Sequence, residues 1–282
     1  MKRFVNCGEA EIPVNDRKFI IFIPKSVDAN VVFNNFANWC TAKPNNGMFK
    51  NYTEGYKVPD GDNSKIYIII NKKFFTGDSQ EIYQIHFETG QIKDRYNSQN
   101  VSIFESVINK SESVSKFFYE ELMYNAKNVR TGLDNNKYLD FLIKFGFCES
   151  LFELIDVNTP VIRFMTREIP RLPDISKFKE VDQLIITNAK MVELHPSIGS
   201  LEKLEMLVLA ENKIISLPKE IGNLKNLTFL NLIGNPIIDI PNEIENLDRS
   251  KGGSLFRLAI KKEQIGEHNY ERLKKLLPSV KL

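Results

Sequence analysis

The chain is poor in the residues that hold metals and close disulfides, with three cysteines and three histidines in 282 residues. Cys7, Cys40 and Cys148 are odd in number, lie far apart and form no Cys-x-x-Cys pair. That excludes a disulfide framework and structural-zinc spacing, and fits a reducing compartment. Long apolar runs are missing as well. Phe19 to Ile23 and Ile66 to Ile70 have strand length, far short of a membrane span, and Met1 to Cys7 lacks the apolar stretch of a signal peptide. A cytoplasmic protein is the expectation.

Charge of one sign is absent too. Lys and Arg number 38 against 36 Asp and Glu, a net charge of +2, so no global field draws in nucleic acid or an anionic membrane. Neither a phosphate-cradling G-x-x-x-x-G-K-[ST] loop nor a dinucleotide fingerprint occurs. No cofactor and no metal is expected. What is present is an ordinary globular mixture, 42% hydrophobic and 26% charged, in a length that fits two domains.

The C-terminal half repeats itself. Leu201, Leu204, Leu207, Leu209, Asn212, Ile214, Leu217-Pro218 and Ile221 return twenty-three residues later as Leu224, Leu227, Leu230, Leu232, Asn235, Ile237, Ile240-Pro241 and Ile244. One period earlier, Phe178, Val181, Leu184, Ile186, Met191, Leu194 and Ile198 follow the pattern, with Ala189 where the Asn would stand. A further step back fits Thr159, Ile162, Phe164, Ile169, Leu172-Pro173 and Ile175 if one residue is deleted after the Pro, as an atypical first unit allows. Forward, the phase breaks at Asp248 to Ser254, and Leu255, Leu258, Ile260 and Ile265 restore it. Tyr270, Leu273, Leu276 and Leu277 then share a helix face ahead of Pro278.

This pattern resembles the leucine-rich-repeat family over roughly the last 120 residues. The resemblance implies a short α/β solenoid of about five units with a helical C-terminal cap. It also implies that Asn212 bonds backbone at the strand-to-loop bend, a role that Ala189 and Glu263 cannot fill. Alternation sends Leu207, Leu209, Leu230 and Leu232 inward and leaves Gln183, Ile185, Thr187, Met206, Val208, Ala210, Phe229, Asn231 and Ile233 on the open concave side. An apolar strip there implies a protein partner, the alternative being cover by the chain's own N-terminal domain or an oligomer mate.

The N-terminal region reads as α+β. Lys18 to Ile23 predicts a strand and Val27 to Phe36 a helix, while Ile66 to Ile70, Glu81 to Glu88 and Gln91 to Tyr96 predict an antiparallel meander turning at Thr89-Gly90. From Ser102 the spacing turns helical, ending at Leu151 to Ile155, which is expected to cover the first repeat. The expected division is therefore 1–100, a helical segment 101–157 that caps the repeats, and 158–282. The segments Trp39-Cys40-Thr41-Ala42, Met48-Phe49-Lys50-Asn51-Tyr52 and Tyr83 to Gln91 are similar to a module of bacteriophage-encoded proteins with no established activity. That likeness covers Ile20 to Asp94 and implies a phage source and a host partner.

Cys40, His86 and Glu88 are the one set with the makings of a thiol nucleophile, a base and an orienting carboxylate. The plainer reading is a solvated face carrying Gln84, His86 and Glu88 beside a buried Cys40, since no glycine-rich oxyanion loop accompanies them. His86-x-Glu88 lacks the Pro-Cys-x-x-Cys of zinc deaminases, and Asp60-Gly61-Asp62-Asn63 lacks the remaining calcium ligands. The tail from Asp248 to Leu282 holds nine basic and four acidic residues, a local net of +5. The sequence as a whole predicts a non-enzymatic protein-binding or adaptor molecule. A Cys-His enzyme with repeats for substrate selection, or a part of a larger assembly, are the alternatives.

Overall fold

The computed structural model describes residues 10–26, 29–30, 50, 53–54, 64–79, 81–87, 91–94, 96, 107–128, 137–165, 167–238 and 240–282. Contacts divide the chain into two compact units, Met1–Phe147 and Cys148–Leu282.

The first unit is built on an antiparallel sheet in the order β1 (Ala10–Asn15), β2 (Phe19–Pro24), β3 (Tyr67–Asn71), β4 (Ile82–His86), β5 (Gln91–Asp94). The β-branched runs FIIFIP and YIIIN have side chains buried on both faces of the middle strands, as continuous apolar strands require. Tyr83, Ile85 and Phe87 share a face, as alternation predicts. Helices α1 (Glu112–Asn128) and α2 (Lys137–Lys144) belong to this unit. Phe118 of α1 lies edge-on to Tyr67 at 5.6 Å, and Phe141 of α2 meets Phe87 at 4.8 Å. Ser111 caps α1 through the Val114 N–H, and its hydroxyl also reaches Asp16.

Burial pushes the Asp16 carboxyl up, yet the N–H groups of Phe19 and Lys18 and the Ser111 hydroxyl outweigh it, and the group sits below the ordinary carboxylate range. The predicted helix from Val27 to Phe36 is described only at Ala29 and Asn30, and the Thr89-Gly90 turn lies outside the described residues. The segment expected at 101–157 is divided: α1 and α2 lie in the first unit and the 3-10 turn Cys148–Leu154 in the second.

The second unit holds five parallel strands, β6 (Val161–Met165), β7 (Gln183–Thr187), β8 (Met206–Val208), β9 (Phe229–Asn231) and β10 (Arg257–Ala259), neighbours in sheet order as in sequence. Leu184, Ile186, Leu207, Leu209, Leu230 and Leu232 are fully buried beneath them. Phe152 of the 3-10 turn packs on Phe164 with ring centroids 5.3 Å apart. After each middle strand the backbone turns through a left-handed residue, Asn188, Glu211 and Gly234, at φ of 50°, 56° and 77°. The next residue is Ala189, Asn212 or Asn235.

Three 3-10 turns, Pro196–Ser200, Lys219–Asn223 and Asn242–Leu247, carry the chain back and bury Ile198, Ile221 and Ile244. These turns stack so closely that a Cβ on Gly199 would stand 2.5 Å from the Glu220 carbonyl oxygen, and one on Gly222 would overlap that of Glu243. Backbone sits on the other side, so the neighbour cannot swing away. Gly222→Ala is expected to cost about 2 kcal/mol, the scale of overpacking a closed interior, read as a lower urea midpoint at unchanged slope.

The closing helix α3 (Lys262–Leu276) is broken at Gly266, whose φ of 78° is not helical, so its main body runs from Glu267. Asp248, fully buried, anchors the inserted loop and the C-terminal strand position together. Its carboxylate accepts from the Ser250 N–H and hydroxyl and from the Ser279 N–H. Burial raises its pKa, those donors lower it, and the donors win.

Candidate functional site

Parallel register turns the outward side chains into rows. Val161, Gln183, Met206, Phe229 and Arg257 are Cα partners across the five strands, and Arg163, Ile185, Val208, Asn231 and Ala259 form the next row. Met165 pairs with Thr187, and the ladder continues through Ala210 and Ile233, whose carbonyls accept from the Asn188 and Glu211 N–H groups. All nine outward residues expected from the sequence therefore come together on one face.

Each of the nine is half-buried, because neighbouring side chains about 4.8 Å apart shield one another. The shielding was not part of the expectation, which left them open. Val161, 37% exposed, and Met165, 53% exposed, flank the exposed Arg163 on β6 at this end of the face. At the other end the Arg257 guanidinium lies 5.9 Å from the Phe229 ring centroid. The sequence reading missed these flanking residues because they stand off the 23-residue period, Val161 pairing with Gln183 and Arg257 with Phe229 at other spacings.

The face is held rigid from below by side-chain amides. Asn212 accepts at Oδ1 from the N–H groups of Ala189 (2.9 Å) and Met191 (3.2 Å), and donates from Nδ2 to the carbonyls of Ile186, Leu209 and Ala210. Asn235 accepts from Ile214 and donates to Leu209 and Leu232. Where the counting arrives at Glu263, the neighbouring Gln264 serves instead, its Nε2 donating to the Leu232 carbonyl at 2.9 Å. The Asn212 acceptor supplies the partner that Ala189 lacks in its own side chain.

Carboxylates gather at the strand-entry rim. Glu180 pairs with Lys203 at 2.5 Å, and Asp182 and Glu205 stand beside them. On another side of the repeats Val192, Ile215 and Ile238 recur at the repeat period and are 39%, 49% and 72% exposed, a column that the sequence reading did not single out.

Of the alternative thiol set, Cys40 and Glu88 lie outside the described residues. Gln84 and His86 correct the expectation of a solvated face: they are 3% and 0% exposed, and His86 Nε2 stands 3.0 Å from the Ser64 hydroxyl. Alternation separates the two faces of a strand, but both faces of β4 are interior. Cys148 is half-buried; burial first, then Glu149, holds its thiol above the ordinary range, which disfavours the reactive thiolate. Among the described residues no group of three or more His, Cys, Asp or Glu side chains could hold a metal ion, and no helix is long and apolar enough to cross a membrane.

Parallel strands at a fixed period, buried leucines and ladder asparagines define leucine-rich repeats. Residues 179–237 match the family model described as leucine rich repeat, so the chain contains such repeats. Among solved structures, a leucine-rich-repeat protein of Leptospira interrogans is 35% identical, with a TM-score of 0.37, covering 40% of this chain and 28% of that one. The leucine-rich repeat domain of the type III effector XopL is 16% identical, with a TM-score of 0.32, covering 58% of this chain and 64% of that one. The chain thus spans less than two thirds of the length of either. No curated protein matches it.

Proposed function

We propose that residues 148–282 form a short leucine-rich-repeat solenoid that binds another protein on its outward, concave sheet face, in a non-enzymatic adaptor role. The observation that carries this reading is the registered set Ile185, Met206, Val208, Phe229 and Ile233. These are apolar side chains on a face where solvent favours polar ones, on a floor that the asparagine bonds keep fixed. The 3-10 turn Cys148–Leu154 caps the first repeat and α3 the last. Support for the second cap comes from Arg272, which donates to the Ile240 carbonyl at 3.0 Å, and from Gln264 on Leu232. The protein works in the cytoplasm, and its partner is a host protein if the phage-like N-terminal module reflects its source.

The test is the Met206→Asp, Phe229→Asp double variant. Both side chains are half-exposed, so the melting temperature is expected to hold. Removing two anchors costs about 2 kcal/mol or more, roughly thirtyfold in affinity for captured protein partners. Unchanged capture with unchanged melting contradicts the proposal.

A further inference from the structure

The row that reaches Arg257 runs one position further. Lys281 pairs with Arg257 in parallel, its N–H donating to the Phe256 carbonyl at 3.0 Å and its carbonyl accepting from the Leu258 N–H at 2.9 Å. Two cations therefore close the row Val161, Gln183, Met206, Phe229. A third, Arg249, lies 5.8 Å from the ring centroid of Phe256, itself 58% exposed. Arg249, Arg257 and Lys281 are exposed, and among the described residues none of them makes an ion pair. Asp248, nearby in sequence, is buried and gives its oxygens to Ser250 and Ser279. A guanidinium resting near an aromatic ring still presents its N–H edge to a carboxylate.

The other part of the face carries a single cation in its rows, the exposed Arg163 on β6, and borders an acidic rim. Under β7 and β8 the rim carries Glu180, Asp182 and Glu205, with only Lys203 opposing them. A uniformly anionic ligand such as a nucleic-acid strand would meet those carboxylates, whereas an apolar segment with its charge confined to one end would not.

We propose that this face receives an extended peptide segment that is apolar at one end and acidic at the other. This rests on the protein-binding reading above and names its partner chemistry. The apolar end lies over Ile185, Met206 and Val208, and the acidic end over Arg257 and Lys281, with Arg249 near Phe256 adding positive charge close by. From β7 to β10 is three strand spacings, about 14 Å, so the carboxylates follow the apolar residues by about four positions in an extended chain rising roughly 3.3 Å per residue.

The experiment measures binding of the full chain to fluorescent ten-residue peptides by anisotropy. The peptides share a Leu-Ile-Phe segment and end in two Glu, two Lys or two Ser; a single-stranded oligonucleotide is the fourth probe. The Glu peptide is expected to bind about tenfold tighter than the Ser peptide, and the gap should close in Arg257→Glu, Lys281→Glu and in high salt. Lys281→Glu alone provides the comparison if the double variant melts lower.

Equal binding of Glu and Ser peptides, preference for the Lys peptide, tighter binding of the oligonucleotide, or no peptide binding would each overturn the proposal. If all three peptides bind alike and Met206→Asp, Phe229→Asp abolishes that binding, the charge assignment fails while the protein-binding face stands. If binding survives both double variants, both fail.

Discussion

Leu207→Asp and Leu230→Asp are each expected to remove most of the stability of the repeat unit. Both leucines are fully buried in adjacent strands, with Leu184 and Leu258 as the Cα partners on either side. A carboxylate there has no donor to pair with, and the lost side chain leaves a void among its neighbours. Truncation of a buried leucine costs about 2–5 kcal/mol before the charge is counted, against a total stability of about 5–15 kcal/mol for a domain. Thermal melts of parent and variants, followed by far-ultraviolet circular dichroism, are the measurement. Variants that melt within a degree or so of the parent would mean that these strands face the other way.

Asn212→Ala should come next in size, at about 3 kcal/mol, and should exceed Asn235→Ala. Without the amide, the N–H groups of Ala189 and Met191 and the carbonyl of Ile186 lose a partner inside the unit, each orphan costing about 1–3 kcal/mol unless water reaches it, while the Leu209 carbonyl keeps Asn235. Asn235 serves three backbone groups, and the bend it supports has Gly234 before it. Asn212 also serves the preceding bend, where Ala189 contributes no amide of its own. Equal effects of the two substitutions, or none, would show that the asparagines are not the ties between units.

Much of the repeat region was legible in the sequence because its contacts are themselves periodic. A leucine at a strand position meets the leucine one period on, so one assignment carries to the next. Legibility failed where a contact breaks the period. The insertion at Asp248 to Ser254 shifts the phase, and the amide that reaches Leu232 comes from Gln264 at a separation of 32 residues rather than from the counted Glu263.

The first unit offered less. Strand β1 carries Pro13 and a register shift between Glu11 and Val14, features of an edge strand that hide it from a pattern search. Gln84 and His86 look solvated by alternation, yet their burial depends on tertiary cover that no local pattern contains. Strands β3 and β4 were nonetheless placed within a residue or two, because β-branched runs of that length have few other uses.

The outward face was also legible in part. The nine residues named from alternation share one surface, while its ends, Val161 and Met165 on β6 and Arg257 with Lys281 beyond β9, needed the observed register. Arg163 stands between Val161 and Met165 at the β6 end, and Arg257 with Lys281 closes the β10 end.

The most direct test of the central claim places a photo-crosslinking phenylalanine analogue at Val208, in the middle of the outward face, and in a second variant at Lys219, on a returning 3-10 turn. Irradiation in the native cell is expected to give protein adducts from position 208 and none above background from position 219. Adducts from 219 with none from 208 would contradict the account.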